Sequence, residues 1–221
     1  MSSSIFGFVG KDYVVLVADA SVTTSILLIK SDLDKIYEAD DKFAFCCVGE
    51  PGDDTAFSDY IVRNIQLNKF RNGYSATSHA NANWMRYVLA KGLRSQPYQC
   101  NCVIGAIDVP SLKQEMQTST EQVQSSGSSG SNQIALTGFK PHLYYLDYLG
   151  TLCEVPFCAH GYCGYLLYGL WDSAWKPGMD LEAGKELLRK SIAQLQRRFI
   201  IQQPHFIAKV ITKDGIQLLD L

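Results

Sequence analysis

Short apolar runs alternate with amphipathic stretches along this chain, and the first two runs predict a β-hairpin. Ile5 to Val9 and Tyr13 to Ala18 flank Gly10-Lys11-Asp12, a short link containing Gly and Asp of the kind that joins hairpin strands. Both runs are apolar at nearly every position, so both faces of their sheet should be covered. Further strands are predicted downstream, at Ser25 to Ile29, Lys35 to Glu38 and Phe43 to Val48.

A pair of helices is predicted after these strands. The first begins at Asp53-Asp54, where carboxylates meet the positive end of the helix dipole, and ends near Asn72-Gly73. Its apolar positions recur every four residues, at Phe57, Ile61 and Ile65. The second helix ends before Pro97. Its predicted buried face carries Ala80, Trp84, Tyr87 and Val88.

More strands and a second helix pair complete the chain. The strands are predicted at Cys100 to Ile107 and His142 to Leu149, with Leu152 to Phe157 continuing the same meander. One helix follows His160-Gly161 and runs toward Pro177-Gly178, and a longer helix is capped by Asp180. A closing hairpin joins Phe206 to Ile211 with Ile216 to Leu219 through Lys213-Asp214-Gly215.

Strands alternating with helix pairs predict an α+β fold, a four-layer αββα sandwich of two antiparallel sheets flanked by helix pairs. With 221 residues, the chain is expected to form a single domain, residues 1–221. Residues 110–133 are dominated by Ser, Gln, Thr, Gly and Glu, which bury too little apolar area to offset their ordering entropy. This segment is predicted to be a disordered surface insertion; a linker between two domains is the alternative.

Composition narrows the class of function. Hydrophobic residues make up 47% of the chain and charged residues 19%, which indicates a globular protein. The formal charge of −2 and the absence of a long basic block argue against nucleic acid and membrane surfaces as partners. No apolar run reaches 18 residues and the amino end lacks the pattern of a signal peptide, so we expect a soluble intracellular protein.

Seven cysteines occur without a CxxC pair or a histidine spaced to complete a zinc site. We therefore expect reduced thiols, most of them in the core. A structural metal site built from Cys100, Cys102 and a distant pair of ligands is the alternative.

Several motifs, in order along nearly the whole chain outside about 110–140, resemble those of proteasome beta subunits, which are N-terminal nucleophile hydrolases. Three of them are the runs Lys11 to Asp19, Cys47 to Asp53 and Phe57 to Ile61. The others are Arg71-Asn72-Gly73-Tyr74, Pro97-Tyr98, Asp147-Tyr148-Leu149, Ala159-His160-Gly161-Tyr162 and Arg198-Phe199. The αββα sandwich that this resemblance implies agrees with the fold predicted from the order of elements.

Catalysis in that family needs a hydroxyl nucleophile at residue one, because its own α-amine, with a pKa near ~8, is the general base. The resemblance places Asp19 and Lys35 at the positions of the supporting ion pair, and Gly49 at the oxyanion-loop glycine. It places Ser3 where active members have the threonine nucleophile. In this sequence Ser2 precedes Ser3, where the family's autocatalytic processing uses Gly. The Ser3 nitrogen is therefore a peptide nitrogen, whose lone pair is delocalised into the carbonyl and cannot accept the hydroxyl proton.

Two downstream positions also depart from the active pattern. Tyr162 follows Gly161 where active members have Ser, and Arg198-Phe199-Ile200-Ile201 replaces the Asp and Ser after the last helix. We therefore predict no catalytic, cofactor-binding or metal-binding residue, and we interpret Asp19 and Lys35 as a structural ion pair. The alternative is an active Ser-type hydrolase, if processing exposes Ser3.

Other candidates are better explained by packing. Cys46 and Cys47 lie in an apolar strand without a nearby histidine, so core packing is preferred to a nucleophilic role. His160 is expected to satisfy backbone groups at the entry of its helix. Aromatic residues are dense in that helix and suit either the core or a subunit interface: Tyr162, Tyr165, Tyr168, Trp171 and Trp175.

The resemblance implies a non-catalytic structural subunit of the proteasome core particle. Its expected partners are other beta subunits within the ring and across the ring–ring interface, alpha-ring subunits and assembly chaperones. Its expected location is the cytoplasm and the nucleus. A stand-alone binding module that uses residues 110–133 is a further alternative.

Overall fold

Two five-stranded antiparallel sheets stacked face to face form the centre of the molecule. A computed structural model of the chain describes residues 3–24, 27–108, 138–199 and 203–220. The predicted insertion at 110–133 lies outside these residues. Every helix in the described ranges falls short of the length and hydrophobicity needed to cross a bilayer.

The first sheet has the strand order β10-β1-β2-β11-β12. Its strands are β1 (Ile5–Val9), β2 (Val14–Asp19), β10 (Phe157–His160), β11 (Phe206–Thr212) and β12 (Gly215–Leu218). The predicted hairpins β1–β2 and β11–β12 are both confirmed, with Val9 opposite Val14 and Thr212 opposite Gly215.

The second sheet is a meander in chain order, β5-β6-β7-β8-β9. Its strands are β5 (Ile36–Asp40), β6 (Phe43–Gly49), β7 (Cys100–Asp108), β8 (Lys140–Leu146) and β9 (Leu152–Glu154). A separate two-stranded hairpin, β3 (Val22–Thr24) with β4 (Leu27–Lys30), stands outside both sheets.

Each sheet is covered on its outer face by a pair of helices. Helices α1 (Asp53–Asn72) and α2 (Ser78–Gly92) pack on the second sheet, and helices α3 (Cys163–Ala174) and α4 (Leu181–Arg198) pack on the first. Alternate residues of a strand point to opposite faces, so the apolar strands supply two cores each. Leu16 and Val103, for example, belong to the core between the sheets. The predicted αββα sandwich is confirmed.

Local signals explain several element ends. The Asp180 carboxylate accepts a hydrogen bond of 2.9 Å from the Ala183 amide and caps α4, as predicted. Gly73 ends α1 in the left-handed conformation with φ of 73°, which glycine adopts without steric cost.

Three predictions about the elements were wrong. The buried face of α2 is formed by Ser78, Asn81, Ala82, Met85 and Leu89, whereas Ala80 and Tyr87 are exposed and Trp84 and Val88 are half-buried. Ser78 can be buried because its hydroxyl donates to Asp108 at 2.8 Å. Periodicity of apolar residues alone therefore selected the wrong face of this helix.

The run Leu152 to Phe157 continues the meander only as far as Glu154. Strand β9 ends at Glu154, and the chain then crosses to the first sheet, where Phe157 of β10 pairs with Phe8 of β1. The strand predicted at His142 to Leu149 ends at Leu146, because the Asp147 carboxylate accepts from the Leu149 and Thr151 amides and forms a turn.

Candidate functional site

Three chain segments bring Ser3, Asp19 and Lys35 together. Ser3 precedes β1, Asp19 is the last residue of β2, and Lys35 precedes β5. Lys35 Nζ donates to Ser3 Oγ at 3.1 Å and to the Ser21 carbonyl at 2.8 Å, and it lies 3.8 Å from Asp19 Oδ2. The three predicted positions therefore meet, and Asp19 and Lys35 form an ion pair. We call Ser3, Asp19, Ser21 and Lys35 the lysine cluster.

Burial dominates the electrostatics of the lysine cluster. Desolvation raises the pKa of Asp19, opposed by the hydrogen bond that the Ser21 amide donates to Asp19 Oδ1 at 3.0 Å and by the charge of Lys35. Desolvation likewise lowers the pKa of Lys35, opposed by the charges of Asp19 and Asp54. Lys35 Nζ has oxygen acceptors of three residues around it, as expected for a charged ammonium that donates hydrogen bonds.

Close backbone packing explains two glycines: Gly161, which borders this cluster, and Gly49, which ends β6 opposite Cys100. Gly161, after β10, has φ of 88°, and a Cβ there would lie 2.7 Å from the Ser3 carbonyl oxygen. A Cβ at Gly49 would lie 2.2 Å from the Gln99 carbonyl oxygen. Close backbone approach therefore accounts for both glycines.

The residues at the departing positions have structural roles or face solvent. Tyr162 is exposed at the start of α3, and Arg198 is exposed at the end of α4. Phe199 packs on the apolar cluster between the first sheet and the α3–α4 pair. Ile200 and Ile201 lie outside the described residues.

His160 was expected to serve the turn at the entry of α3, but its ring bonds to the second sheet instead. Its Nε2 donates to the Cys102 carbonyl at 3.1 Å, and its ring stacks on Tyr145 with centroids 4.2 Å apart. Burial lowers the pKa of His160 to about 4, so the ring is neutral at pH 7. His160 therefore links the two sheets. Among the described residues, no hydrogen bond joins its side chain to Ser3.

Six of the seven cysteines are buried, and only Cys153 is exposed. The neighbours Cys46 and Cys47 point to opposite faces of β6: Cys46 lies in the core between the sheets and Cys47 in the core under α1 and α2. Burial raises the pKa of the Cys46 thiol far above its ordinary value. Its packing role, which was preferred on sequence grounds, agrees with this position.

The structure brings together three cysteines that the sequence did not predict to be neighbours. The sulfur atoms of Cys47, Cys100 and Cys102 all lie within 4.8 Å of one another, and we call these residues the thiol cluster. The Cys102 and Cys47 thiols donate hydrogen bonds that lower the pKa of Cys100 to about 5. The metal-site alternative raised from the sequence named Cys100 and Cys102 with a distant pair of ligands, but the pairing of Cys102 with Cys47 depends on a register between positions 55 residues apart.

The lysine cluster can orient and polarise the Ser3 hydroxyl. Ser3 Oγ accepts from Lys35, whose charged form has no lone pair to take a proton. The other nitrogen that could act, that of Ser3 itself, is acylated by Ser2. The geometry therefore shows an ion pair between Asp19 and Lys35 beside the Ser3 hydroxyl.

Comparison with known proteins identifies the family of this chain. The family model described as "Proteasome subunit" matches residues 1–138 and 134–211. The chain belongs to the proteasome subunit family. Its resemblance to this family thus extends beyond the short motifs to almost its full length.

Curated relatives agree with this family. Proteasome subunit beta type-2-A of Arabidopsis thaliana is 34% identical over 211 residues, covering 96% of this chain and 90% of the relative. Proteasome subunit beta type-2 of Trypanosoma brucei brucei is 34% identical over 220 residues, covering 98% and 97%. Proteasome subunit beta type-4 of Saccharomyces cerevisiae is 33% identical over 217 residues, covering 98% and 96%.

Proposed function

We propose that this proteasome beta subunit is non-catalytic and serves the assembly and architecture of the 20S core particle. The observation that carries this proposal is the state of Ser3. Its hydroxyl lies 3.1 Å from a lysine that donates to it, and its nitrogen is bonded to Ser2. A residue-one hydroxyl with a free amine, which this family's chemistry requires, is absent from the chain as it stands.

Exposed apolar side chains support a role in assembly. Leu27, Leu28 and Ile29 of β4 are each more than half exposed, and Tyr165 of α3 is 86% exposed. Contiguous apolar patches of this kind mark protein–protein contact sites. We infer that β4 and the exposed face of α3 contact other subunits of the beta rings or the alpha ring.

A peptidase assay on purified core particles tests this proposal. Particles carrying Ser3→Ala should assemble and keep every peptidase activity of the unmodified particle. Ser3→Thr is the matched control, because it retains a hydroxyl at the same position. Loss of one activity with Ser3→Ala, retained with Ser3→Thr, would contradict a non-catalytic role.

An active Ser-type hydrolase is the second candidate, favoured by the short Lys35–Ser3 contact. It requires cleavage between Ser2 and Ser3, after which the freed amine could accept the hydroxyl proton. The same pair of variants separates the two functions.

We further propose that assembly chaperones bind the subunit before it enters the ring, and that the particle resides in the cytoplasm and the nucleus. Affinity purification of unassembled subunit, with fluorescence imaging of a tagged chain, tests both points. Recovery of the free subunit alone, or a signal confined to another compartment, would contradict them.

A further inference from the structure

The thiol cluster is built by two neighbouring strands. Cys100 and Cys102 are two residues apart on β7, so their side chains leave the same face of the sheet. Cys47 of β6 stands directly opposite Cys102 in the antiparallel register. All three side chains therefore point into the core beneath α1 and α2, where each is at most 2% exposed.

The separations of the three sulfurs suit a common metal ion. A tetrahedral zinc–sulfur distance of ~2.3 Å corresponds to sulfurs about 3.8 Å apart. Cys47 Sγ and Cys102 Sγ are 3.6 Å apart, and no pair in the cluster exceeds 4.8 Å. Small changes of side-chain torsion would bring three thiolates to bonding distance of one centre.

A fourth donor stands beside the cluster. The Ser58 side chain of α1 is fully buried, and its hydroxyl makes no hydrogen bond of ordinary length among the described residues. The same hydroxyl lies close enough to the Cys47 thiol and to the Tyr37 hydroxyl to interact with both. A buried hydroxyl without a partner is costly, and a ligand in the adjacent cluster would satisfy it.

We propose that Cys47, Cys100 and Cys102 bind one thiophilic divalent ion of the zinc class, with the Ser58 hydroxyl as the adjacent oxygen donor. Binding displaces to solvent whichever protons the three sulfurs still carry and forms three S–metal bonds, with no change of oxidation state. The ion would link α1 to β6 and β7 and stabilise that half of the sandwich. This site is independent of whether the subunit is catalytic.

The other buried cysteines provide internal controls. Cys46 belongs to the same strand as Cys47 but faces the core between the sheets, and Cys158 lies in that same core. Neither belongs to a group of three potential ligands in the described part of the chain. Cys46→Ser therefore matches Cys47→Ser in strand, burial and chemistry, and differs in the predicted loss of metal.

Metal titration of the purified full-length chain tests the site. After treatment with a chelator, added Zn²⁺ or Cd²⁺ should bind at one ion per chain, and Cd²⁺ should give thiolate-to-metal charge-transfer absorption. Cys47→Ser and Cys102→Ser should lose this ion, whereas Cys46→Ser should retain it. Binding that survives both cluster substitutions, or no stoichiometric binding by the unmodified chain, would overturn the proposal.

A measurement on the unmodified protein covers the case in which a variant fails to fold. Thiol alkylation followed by mass spectrometry should show Zn²⁺ protecting Cys47, Cys100 and Cys102 while Cys153 reacts equally with and without the ion. X-ray absorption should find three sulfur ligands at about 2.3 Å. A first shell of oxygen and nitrogen only, or a Cys47–Cys102 disulfide that excludes the ion, would contradict the site.

Discussion

The lysine cluster and the thiol cluster are both buried polar groups, but they are satisfied in opposite ways. Lys35 reaches oxygens of Ser3, Ser21 and Asp19, so the first cluster carries charge that is paired inside the protein. The thiols of the second cluster have one another and the hydroxyls of Ser58 and Tyr37 nearby, and no charged partner is shown for them in the described part of the chain. Asp54 acts electrostatically on both Lys35 and Cys100.

This difference decides which of the two clusters has atoms available to bind a ligand. In the lysine cluster, Asp19 and Lys35 pair with each other, and Lys35 also donates to Ser3 and Ser21 at the junction of β1, β2 and β5. The thiol cluster has free ligand atoms and no matching charge. A buried polar group that lacks hydrogen-bonding or charged partners therefore suggests a missing ligand, whereas a fully paired group does not.

Breaking the lysine cluster should give the largest effect. Lys35→Met leaves Asp19 buried without its cation, which should lower the free energy of unfolding by about 3–5 kcal/mol. The double variant Asp19→Asn/Lys35→Met removes both charges and should recover much of that loss. Chemical denaturation of the purified full-length chain measures both. Equal losses in the single and double variants would show that the charges are not coupled.

Acidification should weaken the contact of His160 between the sheets. The folded pKa of about 4 lies below the ordinary value of 6.5, so between these values the unfolded chain binds more protons than the folded chain. Stability from this group is fully present above pH 6.5 and is lost as pH falls toward 4, by up to about 3 kcal/mol.

Unfolding measured from pH 7 to pH 4 checks this, with His160→Gln for comparison. The unmodified chain should lose stability faster than the variant over that range. The exposed His205→Gln should follow the unmodified chain. Parallel curves for all three proteins would refute the role assigned to His160.

Gly161→Ala should perturb the lysine cluster through its backbone. The residue has φ of 88°, and the new Cβ would lie 2.7 Å from the Ser3 carbonyl oxygen. Strain of this kind costs about 1–3 kcal/mol. Gly169→Ala is the control, because Gly169 lies in α3 and a Cβ there meets nothing within 4 Å. Thermal unfolding should separate the two variants; equal melting temperatures would show that the Ser3 segment adapts freely.

Ser3→Ala should have the smallest effect on stability. It removes one acceptor from Lys35 but leaves the Ser21 carbonyl and Asp19, so the loss should be about 1 kcal/mol or less. Denaturation of the full-length chain measures this value. A loss as large as that of Lys35→Met would indicate that Ser3 is essential to the cluster.

The sequence was sufficient for features that depend on local chemistry. The order of elements predicted the four layers, Asp180 predicted the start of α4, and Asp214-Gly215 predicted the last hairpin. The buried face of α2 could not be obtained in this way, since Ser78 is buried only because Asp108, 30 residues later, accepts its hydrogen bond.

Long-range register limited what could be predicted about the clusters. The positions of Asp19 and Lys35 followed from resemblance, but their 3.8 Å contact required the fold. The sequence suggested Cys100 and Cys102 only as part of an alternative metal site with unnamed distant ligands, and the pairing of β6 with β7 added Cys47. Contacts between distant segments depend on packing that no local pattern contains.

Intact-mass analysis of this chain, released from purified core particles, tests the central claim most directly. A non-catalytic subunit should retain Ser2 ahead of Ser3, so that the Ser3 nitrogen remains a peptide nitrogen. A mature chain that begins at Ser3 would supply the missing base and would contradict the account.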